Sequence, residues 1–483
     1  MTARFTDSEV MQATGAQRVQ PGRGVAFEAV CTDSRALVPG CLFVALKGER
    51  FDAHDFLDEV VKGGATGLVV SLSLPQRGEG RGEGPAWADG RVAVYEVKDT
   101  LHALGRLARF HRDRFKIPLC AVTGSNGKTT TKELISSILS MRGPALKTAG
   151  NLNNEIGVPL TLFNLEPTHV AAVIEMGMNH AGEIARLTNI ARPDAGLITI
   201  VQPAHLEGLG SIEGVANAKG ELFHGLPPTA TAVVNLDDAR VAAQSQGIGS
   251  RRLTYGRAEG AQVRLVSVEQ QGREGLSLRI AYAGKEYPAA LRLVGDHNAM
   301  NATGAFATAI ALGYSPDECV RGLEAVSAHA RRLQILDAPH GVAVVDDCYN
   351  ANPASMQAAL RTVQELASEG RAIAVLGDML ELGDDAPALH AETGRTVMKS
   401  FAGGPPDLAV FVGKLSVHAA VAARETRGAN VLHVPDLQPA SMALVAEALE
   451  PGDAILLKGS RGSAMERLLG ALQAPAAQGR SAA

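Results

Sequence analysis

The sequence predicts an α/β protein of three domains, built around a doubly wound, mostly parallel sheet that carries a phosphate-binding loop. Three observations carry that expectation. At 483 residues the chain is too long for a single core. From residue 119 onward, short apolar runs alternate with helical patterns, the rhythm of a parallel sheet with crossover helices. A glycine-punctuated turn at 124–130 joins one such run to one such helix.

That turn organises the rest. Residues 119–122 form an apolar run, and Leu134, Ile135, Ile138 and Leu139 share one face of the pattern that follows. Between them lies Gly124, Ser125, Asn126, Gly127, Lys128, Thr129 and Thr130. Strand, tight turn and helix N-terminus aim successive backbone N–H groups and the positive helix end at one anion. Lys128 is placed to reach β and γ oxygens and Thr129 to ligate Mg²⁺, so ATP and Mg²⁺ are the expected cofactors. Only two residues separate the glycines, where the common phosphate loop has four.

The units are expected at 1–113, 114–333 and 334–483. In the first, a small α/β unit, Thr6 or Asp7 caps a short helix, 66–72 is a strand and 101–110 a helix. Residues 76–90, with five glycines, read as a surface loop, and the charged run 111–116 marks the edge of the unit. In the second, strands are expected at 119–123, 170–175, 196–201 and 231–235. A small antiparallel sheet follows over 251–293, then a helix over 299–312. In the third, apolar runs at 342–345, 372–376, 408–412, 431–434 and 454–457 predict a second open, Rossmann-like sheet. Residues 474–483 read as a disordered tail.

Composition excludes several classes. A net charge of −5 and 4% aromatic residues provide no basic field or stacking surface for nucleic acid. There is no run of 18 apolar residues and no apolar leader at the N-terminus, so no membrane association is expected. Five cysteines without a C-x-x-C pair suit a reducing cytoplasm. The expected protein is a cytoplasmic monomer.

Two nucleotide-scale units and one phosphate loop leave hydrolysis, phosphoryl transfer and ligation open, and groups near the γ-phosphate decide among them. Glu175 closes a predicted strand, where a carboxylate can ligate Mg²⁺. His205 follows the next strand on the same carboxyl edge. Lys219, near the start of a helix, reads by itself as a surface lysine.

The stretches 123–130, 175–180, 203–211, 216–221, 295–302, 331–333 and 457–462 together resemble the Mur ligases over nearly the whole chain. The motifs at 32–35, 48–56, 346–353 and 376–383 are most similar to members that add D-alanyl-D-alanine to UDP-N-acetylmuramoyl-tripeptide. Ala53 stands where those members usually have glycine. The resemblance implies an ATP-dependent amide ligase of peptidoglycan precursor synthesis, with those two molecules as its substrates. It implies that Lys219 is carbamylated and holds Mg²⁺ with Thr129, Glu175 and His205. It also implies that Asn298 faces the adenine, that Arg332 and Asp347 reach ATP on domain closure, and that Ser34 and Arg35 bind the UDP moiety. It implies further that residues 148–154, including Thr148, Asn151 and Asn154, meet the sugar-peptide, and that Lys458 and Arg461 belong to a C-terminal loop. A ligase of the same fold adding a diamino acid or glutamates is one alternative, and a regulatory P-loop ATPase that turns over ATP without an acceptor is another.

Overall fold

The computed structural model describes residues 3–23, 26–48, 51–71, 87, 90–203, 206–326, 334–367, 370–380, 382–399, 406–427 and 430–473. His205, Arg332, the tail from 474 and all of 76–90 except Trp87 and Gly90 therefore lie outside the described residues.

A nine-stranded sheet occupies the middle of the chain. From one edge its strands run Lys285–Leu291, Leu276–Tyr282, Val263–Gln270, Arg251–Gly256, Thr231–Asn235, Ala195–Ile198, Leu119–Thr123, Ala171–Glu175 and Ala145–Lys147. The strand Leu119–Thr123 shows why the sheet is covered on both faces. Its side chains alternate, Leu119 and Ala121 joining one buried cluster and Cys120 and Val122 the other. The helices Lys128–Leu139 and Asp296–Ala311 pack on the second face, through Leu134, Ile138, Ala302 and Phe306. The helices Gly157–Leu162, Glu183–Ala191 and Ile212–His224 pack on the first.

The small antiparallel sheet expected over 251–293 is joined edge to edge to this one, and its first two strands are parallel rather than antiparallel. Arg251–Gly256 and Val263–Gln270 continue the parallel order, and only the last two pairings, those that Leu276–Tyr282 makes with its two neighbours, are antiparallel. These strands bury one face, through Leu265, Leu278 and Ile280, on the cluster that also holds Phe306. An edge with a continuous apolar face has no reason to separate from the sheet beside it.

Residues 17–96 contribute a five-stranded sheet ordered Gln17–Pro21, Ala93–Glu96, Gly67–Val70, Leu42–Val44 and Val30–Cys31. Thr6 caps the helix Asp7–Thr14 in a reciprocal box with Glu9. Ala53 opens a 3₁₀ turn, Ala53–Phe56, without a positive φ, so alanine costs nothing there. The charged run 111–116 begins within a helix. His111 and Arg112 are buried at the end of the helix Thr100–Arg112, His111 bonded to the Leu165 carbonyl at 3.1 Å. Burial holds the His111 imidazole down at about 4.

Residues 334–458 form a six-stranded sheet ordered Gln334–Asp337, Ala343–Asp347, Ala454–Lys458, Ala372–Gly377, Leu408–Val412 and Val431–Val434. All neighbours are parallel except the first pair.

Trp87 changes the expectation for the glycine-rich stretch. It is 7% exposed, packs in the cluster of Cys31, Phe43 and Val94, and donates its backbone N–H to Asp58 at 3.3 Å. Replacing 76–85 by a short Gly-Ser turn is therefore expected to leave the melting temperature and kinetics unchanged. Replacing 76–90 removes Trp87 and is expected to destabilise by about 3–5 kcal/mol. Thermal unfolding of the two variants checks the difference.

Candidate active site

The phosphate loop is held open by contacts that predate any ligand. Gly124 has φ 149° and Gly127 φ 80°, and the helix begins directly at Lys128. A Cβ on Gly124 would lie 1.8 Å from Thr199 Oγ1, and one on Gly127 2.4 Å from Asn301 Oδ1. Both positions thus require glycine for conformation and for space. Thr199 Oγ1 donates to the Asn126 carbonyl at 2.5 Å. Ser125 donates its backbone N–H to Ile200 O and its hydroxyl to Gln202 O, each at 2.8 Å. The loop is braced on the strand end beside it, which leaves the helix N-terminus facing outward.

Around this loop the structure gathers five of the predicted side chains. Thr129, on the first helical turn, donates to Glu175 Oε2 at 2.9 Å. Glu175 closes its strand as expected and is 2% exposed, its other oxygen accepting from Asn153 Nδ2 at 2.9 Å. Lys128 is half-buried and donates to Gly124 O at 2.7 Å. Thr130 is half-buried on the same turn.

Lys219 is the fifth, and its setting departs from what the residue suggests by itself. It sits in the middle of the helix Ile212–His224 rather than near the start, and it is 2% exposed rather than on the surface. Among the described residues it makes no hydrogen bond or ion pair. Burial, and then the positive charge of Lys128, hold its ammonium well below the ordinary lysine range. Isolation from solvent and a like charge nearby both favour its neutral form.

Other predicted residues are placed apart from this group or are occupied otherwise. Asn298 is buried, donating to Val294 O at 2.8 Å and accepting from Asn301 at 3.0 Å. Asn301, one turn further on, is the residue that abuts the loop. Asp347 pairs with the buried Lys458 at 2.5 Å, and Arg461 is exposed beside Glu466. Ser34 and Arg35 lie in the turn before the strand Leu42–Val44. Arg35 grips Asp33 through two side-chain bonds of 2.9 and 2.8 Å, which hold the Asp33 carboxyl down at about 2. Thr148 is fully buried, its hydroxyl accepting from Glu175 N at 2.9 Å. Asn151 is exposed, and Asn154 accepts from Gly157 N at 2.8 Å at the start of a helix.

Sequence reasoning missed Asn153, Lys132, Asn301 and Asn352. Asn352 caps the helix Pro353–Leu366, and its amide meets that of Asn126 at 2.9 and 3.4 Å. This clasp joins the phosphate loop to the six-stranded unit. No local signal marks a contact between residues more than two hundred positions apart.

No group of three His, Cys, Asp or Glu side chains able to hold a metal occurs among the described residues. The donors present still suit Mg²⁺, a hard cation that prefers one or two carboxylates and hydroxyl oxygens over a full protein cage. Thr129 Oγ1 and Glu175 Oε2 already share one position at the loop.

Comparison with known proteins agrees with this geometry. Residues 122–309 match the Mur ligase middle domain, and 331–461 match the Mur ligase glutamate ligase domain. The UDP-N-acetylmuramoyl-tripeptide–D-alanyl-D-alanine ligase of Escherichia coli (strain K12) is 39% identical over 94% of this chain and 95% of its own. A crystal structure of MurF from Acinetobacter baumannii superposes with a TM-score of 0.86 at 32% identity, covering 98% of this chain and 99% of that one. MurF from Thermotoga maritima in complex with ADP superposes with a TM-score of 0.77 at 26% identity, covering 92% and 97%.

Proposed function

The chain belongs to the Mur ligase family, and we propose that its phosphate loop, Glu175 and Lys219 form the centre at which that family's reaction takes place here. The protein is an ATP-dependent amide ligase that adds D-alanyl-D-alanine to UDP-N-acetylmuramoyl-tripeptide in peptidoglycan precursor synthesis. The observation that carries the site assignment is the meeting of Thr129 and Glu175 at the loop, with the unpaired, buried Lys219 beside Lys128.

The chemistry follows from what a carboxylate lacks. The tripeptide's terminal carboxylate is too poor an electrophile for an amine. One of its oxygens attacks the γ-phosphorus and ADP leaves, giving an acyl phosphate. The D-alanyl-D-alanine amine then attacks the acyl carbon; the nitrogen loses a proton, and phosphate departs with the bonding electrons. Both steps spread negative charge over oxygens. The loop N–H groups and Lys128 are fixed in advance to receive that charge. Thr129, Glu175, His205 and a carbamate on Lys219 would hold Mg²⁺, which supplies further charge neutralisation at the phosphates. The carbamate forms when the neutral Lys219 amine attacks CO₂ and releases a proton, turning a cation into an anionic ligand.

The division of labour runs along the chain. Residues 1–113 bind the UDP-sugar through Ser34 and Arg35. Residues 114–333 bind ATP, with Asn298 toward the adenine. Residues 334–483 close over the site, bringing Asp347, together with Arg332 at the junction of the two units, to ATP, a movement that excludes water from the γ-phosphate. The Asn126–Asn352 clasp supports such closure. The enzyme works as a monomer in the cytoplasm; five buried, free thiols support a reducing compartment, and no described helix is long and apolar enough to cross a membrane.

Turnover with the UDP-sugar tripeptide tests the assignment. ADP release is expected only when tripeptide and D-alanyl-D-alanine are both present. Equal release with neither would point to a regulatory ATPase, and turnover with a diamino acid or glutamate to another ligase of the fold.

A further inference from the structure

We infer that Lys132 is a positioning residue that locks the segment 148–154 onto the phosphate-loop helix, so that the sugar-peptide loop and the Glu175 carboxylate are set by one buried ammonium. The inference rests on the function proposed above and adds a residue that the reading of the site did not use.

Lys132 lies one helical turn beyond Lys128, and at 1% exposure it is as buried as an apolar core residue. Its ammonium reaches three groups from separate places in the fold. It donates to Thr148 O at 2.8 Å, lies 3.1 Å from Glu133 Oε1, and lies 3.9 Å from Glu175 Oε2. Glu133 is in turn paired with the more exposed Lys147 at 2.5 Å. Charges thus alternate from the surface inward, Lys147, Glu133, Lys132, Glu175, and each cation sits beside an anion.

The loop is already tied to the strand of Glu175 at both ends. Thr148 accepts from Glu175 N at 2.9 Å, and Asn153 accepts from Gly177 N at 2.8 Å while donating to Glu175 Oε1. Lys132 adds the tie from the loop to the phosphate-loop helix. The choice of residue is informative. A buried ammonium costs several contacts to stabilise, and an apolar side chain of the same length fills the same volume without that cost. A lysine kept here serves direction rather than packing. Its three donors fit a carbonyl and two carboxylates that no methionine can hold in register. Through Thr148, a shift of the loop is passed to the Glu175 backbone, and through Lys132 to the helix whose first turn carries Lys128 and Thr129.

The test compares full-length wild type with Lys132→Met. Amide hydrogen exchange of the ligand-free protein is expected to speed up within 148–154 and to stay unchanged along Leu119–Thr123. ADP affinity is expected to be kept, while kcat/KM for UDP-N-acetylmuramoyl-tripeptide falls by about 10²-fold, the size of effect that a small misplacement of reacting groups produces. Lys132→Gln, which retains a shorter amide donor and a polar end, supplies the same comparison should the methionine variant not fold. Unchanged exchange in 148–154, or parallel losses of ADP and tripeptide binding without a loop-specific change, overturns the inference. A wild type that does not ligate defeats the function proposed above instead, and the exchange measurement separates the two because it needs no substrate.

Discussion

Lys128→Ala is expected to reduce ligation by about 10³-fold, the scale on which removal of a preorganised charge-stabilising donor acts. The fold has little to lose from the change. Lys128 is half-buried at the first position of its helix, and its ammonium bonds the loop's own Gly124 carbonyl at 2.7 Å. The glycines, Thr199 and Ser125 shape the loop without it. The melting temperature should therefore stay near that of wild type while product formation disappears. The alanine also removes a positive charge beside Lys219 and so relieves part of what depresses that amine. Activity near the wild-type level would mean that the phosphates bind elsewhere.

Lys219→Ala is expected to cost at least about 10²-fold in activity, comparable with losses seen when a metal site's support is removed, with nucleotide binding largely kept. Carbamylation needs a neutral amine, and an ordinary lysine, with a pKa of about 10.4, presents little of it at pH 7. The structure removes most of that obstacle. Burial and the nearby Lys128 lower the Lys219 pKa, and at fixed pH a lower pKa means a larger neutral fraction. The sign of the pH effect follows. Acidification protonates the amine and drives off CO₂, so activity should fall in CO₂-depleted buffer at low pH and return with bicarbonate. Formate, a small carboxylate able to occupy the vacated ligand position, should partly rescue the alanine variant. An alanine variant as active as wild type, or a structure showing an unmodified ammonium beside bound Mg²⁺, would sink the carbamate without touching the ATP site.

The sequence by itself determined the parts of this protein that are local in the chain. Strand, loop and helix at 119–139 were legible because apolar runs and a glycine pair specify backbone geometry within twenty residues. The strand ending at Glu175 and the second open sheet were legible for the same reason. Tertiary structure decided the rest. The pattern over 251–293 suggested a small antiparallel sheet because alternation reports one buried face and says nothing of which neighbour an edge strand joins or in which direction it runs. The charge of the run 111–116 gave no sign that His111 and Arg112 are buried. Lys219 differed most: a lysine within a helix reads as surface, since burying an ammonium is costly, and only packing shows that this one is enclosed beside another cation. The pairings of Lys132 with Thr148, of Asn153 with Glu175 and of Asn126 with Asn352 could not be read in any window of sequence. Their partners lie 16 to 226 positions away, and a hydrogen bond across that distance exists only once the sheet has brought its strand ends to one edge.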